Sequence, residues 1–569
     1  MHPTLGSLRT SQAVFYALSF FWSDGFAVPA PAQVTQTVET VEKVGKFNNE
    51  CHATGFYMPE DSMAKYKPTN EDQMVMLPIS LQDQLVPGTL EHTLNRLVDE
   101  NIDLSVFDQR YKNDETGAAA IHPKILLKVI LLAYAKGMIS SRQIERACHE
   151  NILFIALSYG YAPDHSTIAA FVSSMQTEIS SIFSDILTVC DELDLLGGTH
   201  FALDGVKLSA NVSKEWSGTL AELKHKRDKL QEKLQRVMEE HARADKEPAL
   251  VLEQQKKRER RFQLQVERLN EFLKDREPKL GSNGKEIQSN AVDNESVKMP
   301  SSHGVAQGYN AQALVDSKHQ VILAAEAFAS QDHENLKPML ESAKKNAVAI
   351  GKDESYFQGK QLTADPNYHS LNSLKVCQAE KIDAYIPDIQ YRARDPRFAD
   401  QERFKDGVHG RQRPDAKPSR FTASDFSFDP TKGVYLCPDG KELTCHARGQ
   451  VNRHRAYDLY HARPEDCASC PVRTRCLSKP TSSRRYLSVP VDGQPPNLID
   501  EMKAKIDSEE GKRIYARRLG IVEPVFANIC VHKRMHRFTL RSKLKVDVQW
   551  RLFALVHNIG KIHTFGVLT

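Results

Sequence analysis

Along the chain, the spacing of apolar residues changes its period several times. Between Leu77 and Leu196 they recur every three or four positions, which is typical of amphipathic helices. Ile125–Ala135 is mostly apolar and is predicted to be a buried helix, while Ser140 and Asp164 stand where helix N-caps are expected. This region is therefore predicted to be a small all-α domain.

An alternating pattern of apolar and polar residues follows this helical region. We expect a strand at Thr199–Leu203 that ends in Asp204-Gly205, with Val206–Val212 as its hairpin partner. The short strand Gln361–Ala364 ends in another acid, Asp365. Further strands are predicted at Tyr309–Val315, Val321–Phe328 and Ala384–Pro387, and helices at about Asn335–Ala349 and Ser370–Gln378. Strands that alternate with helices indicate a mixed α/β sheet.

A long and highly charged segment, Glu215–Lys274, separates the first strands from the later ones. Two apolar stripes predict two helices, and Ala244–Pro248 between them predicts a turn. The stripes are Leu223, Leu230, Leu234 and Val237, then Phe262, Val266, Leu269 and Leu273. We expect an antiparallel helical hairpin, which either packs only on itself or forms an arm for dimerisation or DNA contact.

Composition is that of an ordinary globular protein, because 40% of the 569 residues are hydrophobic and 26% are charged. The length predicts several domains, and no apolar run is long enough to predict a membrane-spanning helix. The net charge is only +3, but residues 501–569 hold fourteen Lys and Arg against six Asp and Glu. A locally basic region indicates a nucleic-acid partner, although a solvated helix face is its commoner meaning.

Cysteine is concentrated in one short region. Five of the ten Cys lie between residues 437 and 476, and four of them have the spacing C-x29-C-x2-C-x5-C. Such a set suits a tetrahedral structural Zn²⁺ in a reducing compartment. The candidate ligands are Cys437, Cys467, Cys470 and Cys476, with Cys445, His446 and His461 as substitutes. The alternative is a group of reduced cysteines that holds no metal.

The first 62 residues differ in character from the rest of the chain. Ala13–Trp22 is an apolar run that follows Arg9, and small residues come after it, as in a signal peptide. Nothing beyond Met63 has the character of an exported protein. We therefore favour a poorly ordered upstream extension, with the working protein beginning near Met58 or Met63.

Three acids stand out by their position: Asp204 and Asp365 after predicted strands, and Glu523 in the basic C-terminal region. If the first strand of the sheet neighbours the fourth, the two Asp lie side by side, and a helix packed on the sheet can bring Glu523 to them. Converging carboxylates repel one another unless a hard divalent cation neutralises them. Such a cluster suits two-metal phosphoryl transfer, although any one of these acids alone is more often a cap or a surface charge.

The residue after Glu523 is Pro524. Proline disfavours helix in the residue before it and suits the first position of a helix. Glu523 is therefore expected at a kink or at the start of a helix rather than in its middle.

A series of short motifs resembles, in its order and spacing, a bacterial insertion-sequence transposase of the IS1182 family, within the DDE transposases of the RNase H-like superfamily. The resemblance runs from about Leu77 to Ile562. The motifs are His122-Pro123, Ser140-Ser141-Arg142-Gln143-Ile144-Glu145, Pro163-Asp164-His165-Ser166-Thr167, Asp204-Gly205-Val206-Lys207 with Ala210-Asn211, Gly308-Tyr309-Asn310-Ala311-Gln312-Ala313 with Val315-Asp316, Ala364-Asp365-Pro366-Asn367-Tyr368-His369-Ser370, Tyr515-x-x-Arg518-x-x-x-x-Glu523-Pro524-Val525-Phe526, Arg537-Phe538-Thr539-Leu540-Arg541 and His557-Asn558-Ile559.

The resemblance implies an α/β fold: an RNase H-like mixed-sheet catalytic core with an N-terminal all-α domain, a helical-hairpin insertion and a small Cys-rich β insertion. The chain then divides into the extension (1–62), a helical DNA-binding and assembly domain (63–198), three parts of the catalytic core (199–214, 291–388 and 499–569, the last with basic helices), the helical hairpin (215–290), and a basic loop with a Cys-rich, zinc-ribbon-like insertion (389–498).

The resemblance also implies the activity: a DNA transposase that binds terminal inverted repeats and catalyses strand cleavage and strand transfer. Its cofactors are then two Mg²⁺ or Mn²⁺ ions held by Asp204, Asp365 and Glu523. Its partners are double-stranded DNA, at the repeats and the target, and a second copy in a homodimer, with no membrane and with a cytoplasmic, nucleoid-associated location. The candidate DNA contacts are Arg518, Lys533, Arg534, Arg537 and Arg541.

Two positions depart from the family's pattern. Cys530 stands seven residues after Glu523, where a basic residue is common, so phosphate contact is expected to shift to Lys533 or Arg534. Pro366-Asn367 stands where Gly is common, which changes a loop but removes no carboxylate. Two alternatives are an RNase H-like nuclease that cuts without joining and a non-catalytic DNA-binding scaffold, and the three intact acids argue against the scaffold.

Overall fold

The computed structural model describes residues 80–110, 120–243, 249–274, 276–281, 284–301, 304–398, 421–452, 455–477, 479, 481–491 and 497–566. The predicted extension at 1–62, the predicted turn at Ala244–Pro248 and most of the predicted basic loop lie outside the described residues. Within the described part, no helix is long and apolar enough to cross a membrane.

The region ahead of the first strand is helical, as its apolar periodicity predicts. The helices are α1 (Leu90–Glu100), α2 (Pro123–Ala135), α3 (Ser141–Glu150), α4 (Ile152–Leu157), α5 (His165–Ser174) and α6 (Glu178–Glu192), with 3-10 turns at Gln82–Gln84 and Ser105–Arg110. Asp164 caps α5 by accepting a hydrogen bond from the Ser166 amide. The interior of α2 is almost wholly buried and belongs to the same apolar core as the central sheet. Helices and sheet therefore share one core.

The central sheet is mixed. Its strands are β1 (His200–Ser209), β4 (Val297–Ser301), β5 (Gly304–Asp316), β6 (Ile322–Phe328), β7 (Gln361–Ala364) and β8 (Asp383–Tyr385), and a separate pair joins β2 (Ser217–Gly218) to β3 (Ser289–Asn290). The order is β4-β5-β1-β7-β8, with β6 also paired to β5. β5 runs antiparallel to β1, whereas β7 runs parallel to β1 and to β8. The first strand of this sheet, β1, therefore neighbours β7, the fifth strand of the sheet along the chain rather than the fourth.

The predicted hairpin after Asp204 is wrong, because β1 is one continuous strand. Residues from Phe201 to Ser209 pair without interruption with β5. Gly205 is not a turn residue; a Cβ there would lie 2.6 Å from Oδ1 of Asn310 and 2.8 Å from Nε2 of Gln312. The glycine makes room for two buried amides on the neighbouring strand, and Asp204 lies inside the strand rather than at its end.

Three further groups of elements complete the fold. A helical pair comprises α7 (Leu220–Arg243) and α8 (Ala249–Leu273), and a five-stranded antiparallel sheet comprises β9 (Ser427–Asp429), β10 (Val434–Leu436), β11 (Glu442–Asn452), β12 (Arg455–Ala462) and β13 (Tyr486–Pro490). The connecting helices are α9 (Asp332–Ala349), α10 (Leu371–Ala379), α11 (Tyr391–Arg394), α12 (Pro464–Ala468) and α13 (Arg473–Cys476). The C-terminal helices are α14 (Leu498–Asp507), α15 (Glu509–Ala516), α16 (Arg518–Ala527), a π-helical turn at Asn528–His532, and α17 (Lys543–Phe565).

The apolar stripes of the charged segment do pack against each other. Leu223 of α7 and Leu269 and Phe272 of α8 are buried in one small cluster. The two helices therefore form the predicted pair, stabilised by apolar contact along their shared face.

Glu523 lies in the middle of α16, which contradicts the prediction of a kink or a helix start. Pro524 stands inside the helix, where its missing N–H leaves the carbonyl of Gly520 without its usual donor. The side chain of Gln320, in the turn between β5 and β6, donates from Nε2 to that oxygen at 2.9 Å. A tertiary hydrogen bond thus replaces the lost helical one and lets the helix continue.

We expect Gly205→Ala to destabilise the protein by about 1–3 kcal/mol, because overfilling a packed site displaces its neighbours. Gly560→Ala, in α17, is the matched control, since no atom lies within 4 Å of its added Cβ. It should be neutral or stabilising by about 0.5–1 kcal/mol. Chemical denaturation of both variants measures the difference, and equal midpoints would contradict the close packing at Gly205.

Candidate active site

Two of the predicted acids are brought side by side by the parallel pairing of β1 and β7. The final pair in that register joins Leu203 to Ala364. The next residue of each strand is Asp204 and Asp365, respectively. Asp365 also caps a short 3-10 turn by accepting the amide N–H of Asn367 at 2.6 Å. The two residues therefore occupy neighbouring positions, although Asp365 comes 161 positions after Asp204 in the chain.

Burial and mutual repulsion raise the pKa values of two of the acids. Burial, followed by the charge of Asp204, raises the pKa of Asp365 to about 6. The same two causes, in the same order, raise the pKa of Glu523 to about 7. α16 packs against β1 and places Glu523 within electrostatic reach of Asp204. The three predicted acids thus converge on one region of the sheet.

Arg518 compensates part of this negative charge. Its Nη1 donates to Oδ2 of Asp204 at 2.7 Å, and both side chains are almost wholly buried. The prediction that Arg518 contacts DNA is not favoured by this geometry, because its guanidinium is enclosed against a carboxylate. Removing one member of such a buried pair is expensive, since it leaves the other charge unpaired.

A fourth acid lies close by, and the sequence patterns did not single it out. Asp332, the first residue of α9, is buried, and its Oδ1 accepts from Nδ2 of Asn310 at 2.7 Å and from Nε2 of Gln312 at 3.0 Å. Burial raises the pKa of Asp332, and the charge of Asp204 raises it further. Its position after a strand was visible in the sequence, but only the fold shows that this strand lies two places from β1.

Several buried polar atoms around these acids have no hydrogen-bond partner. They are Oη of Tyr368, Nε of Arg518, Oδ1 of Asn310 and Oε1 of Gln312. Buried polar groups are normally satisfied by protein, water or ligand. Unsatisfied oxygens next to converging carboxylates fit a site for divalent cations, whose ligands are oxygen atoms.

The carboxylates are not yet at coordinating distance from one another. In the described ranges, Glu145, Asp164 and His165 form a group whose potential ligand atoms all lie within 4.8 Å of one another. The carboxylate oxygens of Asp204, Asp365 and Glu523 do not form such a group.

The basic residues near the C-terminus divide by exposure. Arg534, Arg537 and Arg541 are exposed, whereas Lys533 is 9% exposed. Arg537 donates to Oδ1 of Asn211 at 2.8 Å, and Arg541 donates to the carbonyl of the same residue at 3.0 Å. Asn211 lies two residues after the end of β1, so these two arginines lie near the strand that carries Asp204.

Tyr515 belongs to the apolar packing beside the site. Its ring lies 5.4 Å from that of Tyr391, and it packs with Ile506 and Ile514. Burial raises the pKa of Tyr515. Its place in the motif is thus explained by core packing, with the guanidinium of Arg518 5.9 Å from its ring.

The four predicted zinc ligands line one small cavity beside the five-stranded sheet. They are Cys437, Cys467, Cys470 and Cys476. Burial raises the pKa of Cys476, and the charges of the other three thiols raise it further. The four sulfurs do not all lie within 4.8 Å of one another. The three alternative ligands named from the sequence do not line this cavity. Cys445 lies near the carbonyl of Ala447, and the ring of His446 packs against that of His461.

Comparison with known protein families gives two matches. A family model described as Transposase DDE domain matches residues 436–563, and one described as Transposase domain (DUF772) matches residues 80–174. The first match includes Glu523 and the Cys region, and the second includes the helices ahead of the sheet, while Asp204 and Asp365 lie outside both. No curated protein and no solved structure matches the chain.

These two domains make the chain a DNA transposase of the DDE class. The mixed α/β architecture fits that class. The IS1182 family of insertion sequences carries this same pair of domains. The family matches therefore confirm the resemblance to that family which the sequence motifs predicted.

The raised pKa of Glu523 predicts a pH dependence of stability in the metal-free protein. A carboxyl whose pKa is higher in the folded state contributes stability below its unfolded pKa, near 4.5, which is lost as the pH rises through about 7. We expect the thermal midpoint of Glu523→Gln, relative to wild type, to increase as the pH rises between those values. Thermal unfolding in EDTA measures it.

Glu341→Gln is the control for this series, because that acid is exposed on α9 and pairs with Lys337. The thermal midpoint of Glu341→Gln should change with pH in the same way as that of wild type. A constant difference between Glu523→Gln and wild type across the range would show that Glu523 is not buried beside Asp204.

Proposed function

We propose that the chain binds the terminal inverted repeats of an insertion sequence and catalyses metal-dependent strand cleavage and strand transfer on an RNase H-like core. Asp204, Asp365 and Glu523 are the proposed catalytic triad. The observation that carries the proposal is the parallel register of β1 and β7, which sets Asp204 and Asp365 side by side. The raised pKa values of Asp365 and Glu523 support it, since burial and then the charge of Asp204 raise both, as is common at functional sites.

The reaction proposed is a pair of in-line displacements at phosphorus. Water attacks a phosphodiester at the element's end and the bond from phosphorus to the 3′ oxygen breaks, so that the 3′ oxygen takes a proton and a 5′-phosphate is left. The freed 3′-hydroxyl then loses its proton and attacks a phosphodiester of target DNA, where the bond to the target's own 3′ oxygen breaks and that oxygen leaves as a hydroxyl. Two Mg²⁺ or Mn²⁺ ions held by the triad would activate the attacking oxygen and stabilise the leaving one.

The chain's own residues contribute position and charge. β1 and β7 fix two carboxylates on a rigid sheet, and α16 brings the third from a helix packed on it. Arg518 holds Oδ2 of Asp204, which fixes the orientation of that carboxylate. Holding reacting groups in a fixed geometry removes much of the entropic part of the barrier.

The DNA surface is proposed on the exposed basic residues that follow α16. Arg534, Arg537 and Arg541 support it by their exposure and by the position of the latter two beside Asn211. The helices at 80–174, which the second transposase domain spans, are proposed to bind DNA and assemble the complex. A homodimer is proposed because two element ends must be handled together.

A structural Zn²⁺ is proposed in the cavity lined by Cys437, Cys467, Cys470 and Cys476. Their convergence from three separate stretches of chain supports it, because thiolates around one point suit tetrahedral zinc. The zinc would tie α12 and α13 to the β10–β11 turn and take no part in the reaction.

We expect Asp204→Asn, Asp365→Asn and Glu523→Gln each to reduce strand cleavage by about a hundredfold or more, the scale of losing a group that stabilises transition-state charge. Binding of the element's ends should persist, because the basic surface is unchanged. Gel analysis of cleavage and joining on DNA carrying the inverted repeats measures both.

Asp228→Asn, on the exposed face of α7, is the control and should cleave normally. Normal cleavage by any of the three triad variants would overturn the assignment. Cleavage without joining by the wild type would favour a nuclease instead of a transposase.

We expect about one zinc ion per chain by elemental analysis of the purified protein, since four thiolates hold one tetrahedral ion. Cys467→Ser with Cys470→Ser should lose it and lower the thermal midpoint. Cys445→Ser is the control, because that thiol lies outside the cavity lining. Zinc retained by the double variant, or lost by Cys445→Ser, would show that a different ligand set is used.

A further inference from the structure

The turn between β5 and β6 holds the helix that carries Glu523. Pro524 lacks the N–H that would normally bond to the carbonyl of Gly520, and a proline ring crowds the carbonyl four residues before it. That carbonyl therefore needs a partner from outside α16. It accepts from Nε2 of Gln320 at 2.9 Å, and Glu523 lies only three residues further along the helix.

The side-chain amide of Gln320 is held in one orientation. Its Oε1 accepts from Nζ of Lys561 on α17 at 2.9 Å, and an ammonium group can only donate. The amide oxygen is thereby directed to Lys561, so the amide nitrogen, which is a donor, faces Gly520. The lysine thus orients the glutamine for the hydrogen bond that α16 needs.

A second contact from the same turn reaches the other side of Glu523. The carbonyl of Gln320 accepts from Nε2 of His557 on α17 at 2.9 Å, and Nδ1 of that histidine lies 3.3 Å from Oδ1 of Asn528. Asn528 follows the last residue of α16, whereas Gly520 is near its start. The stretch of α16 that includes Glu523 is therefore held at both ends.

The turn itself is firmly anchored. Asn558 of α17 accepts from the amide of Ile322 and donates to its carbonyl, both at 2.9 Å, which fixes the start of β6. Gln320 has a φ of 62°, a left-handed conformation that is unfavourable for residues other than glycine. Such a conformation persists only where surrounding contacts hold it, and it is often found at functional sites. The contacts of Gln320 with α16 and α17 are of that kind.

We propose that Gln320 is a positioning residue for Glu523, an inference that rests on the proposed function. By replacing the hydrogen bond that Pro524 cannot make, its side chain fixes the height and rotation of α16 on the sheet. The carboxylate of Glu523 is thereby set at one distance from those of Asp204 and Asp365. Gln320 acts through the helix and not on the reacting atoms.

The first test removes the donor and keeps the shape of the side chain. Gln320→Glu can still accept from Lys561, but an ionised carboxylate cannot donate to the carbonyl of Gly520. We expect it to lower strand cleavage on inverted-repeat DNA by about ten- to a hundredfold, because small misplacements of a reacting group have effects of that size. The affinity for Mn²⁺, measured from the paramagnetic resonance signal of the free ion, should fall by about tenfold.

A substitution in α16 offers a rescue that is specific to this hydrogen bond. Pro524→Ala restores the backbone N–H that can bond to the carbonyl of Gly520 within the helix. Gln320→Leu, which has neither donor nor acceptor, should show the same losses as Gln320→Glu. Combining it with Pro524→Ala should return cleavage and Mn²⁺ affinity to near the wild-type values, and Pro524→Ala alone should behave like wild type.

Lys318→Met is the matched control, since Lys318 lies in the same turn but its ammonium contacts Asp194 rather than α16 or α17. It should cleave DNA and bind Mn²⁺ like wild type. Thermal unfolding in EDTA reports on folding separately. A fall in the thermal midpoint of Gln320→Leu with wild-type Mn²⁺ affinity would show that Gln320 serves packing alone and would overturn the proposal.

The remaining outcomes are also decisive. If Pro524→Ala failed to rescue Gln320→Leu, the missing donor would not be the cause of the loss, and the proposal would fall. Wild-type cleavage by both Gln320 variants beside an inactive Glu523→Gln would overturn the positioning role and leave the triad standing. Normal cleavage by Glu523→Gln would remove the triad itself, and the role of Gln320 with it.

Discussion

Parallel pairing between β1 and β7 is the constraint on which the candidate site depends. Antiparallel neighbours present opposite ends to one edge of a sheet, whereas parallel neighbours present the same end. Asp204 and Asp365 come one residue beyond the last parallel pair, so the two residues lie side by side on neighbouring strands. β1 continues past that point because its other edge pairs with β5, and this continuation makes the backbone under Asp204 rigid.

The electrostatics of the site follow from that placement. One cation, Arg518, pairs with Asp204, while burial and repulsion raise the pKa values of Asp365 and Glu523. A sheet that holds like charges together against their repulsion sacrifices stability for function, which is common at sites that bind cations.

Much of the chain's organisation could be predicted from local pattern. The strand Gln361–Ala364 has the predicted bounds, and α9 begins within a few residues of its predicted start. The charged segment forms the predicted helical pair, because apolar stripes at helical spacing leave little choice of packing partner. The failures occurred where a tertiary contact overrode a local rule. Gly205 suggested a turn, but it makes room for Asn310 and Gln312. Pro524 suggested a helix boundary, but Gln320 supplied the missing hydrogen-bond donor.

The sequence by itself determined most of the element types and the order of the motifs, and it singled out the three acids as candidates, because these depend on residues close together in the chain. Tertiary structure alone decided which charges meet. Asp332 joins the acids, and Arg518 turns inward to Asp204. Each of these contacts joins residues from separate elements across the sheet or its helices. Only the strand order and helix packing, which no local pattern encodes, bring such residues together.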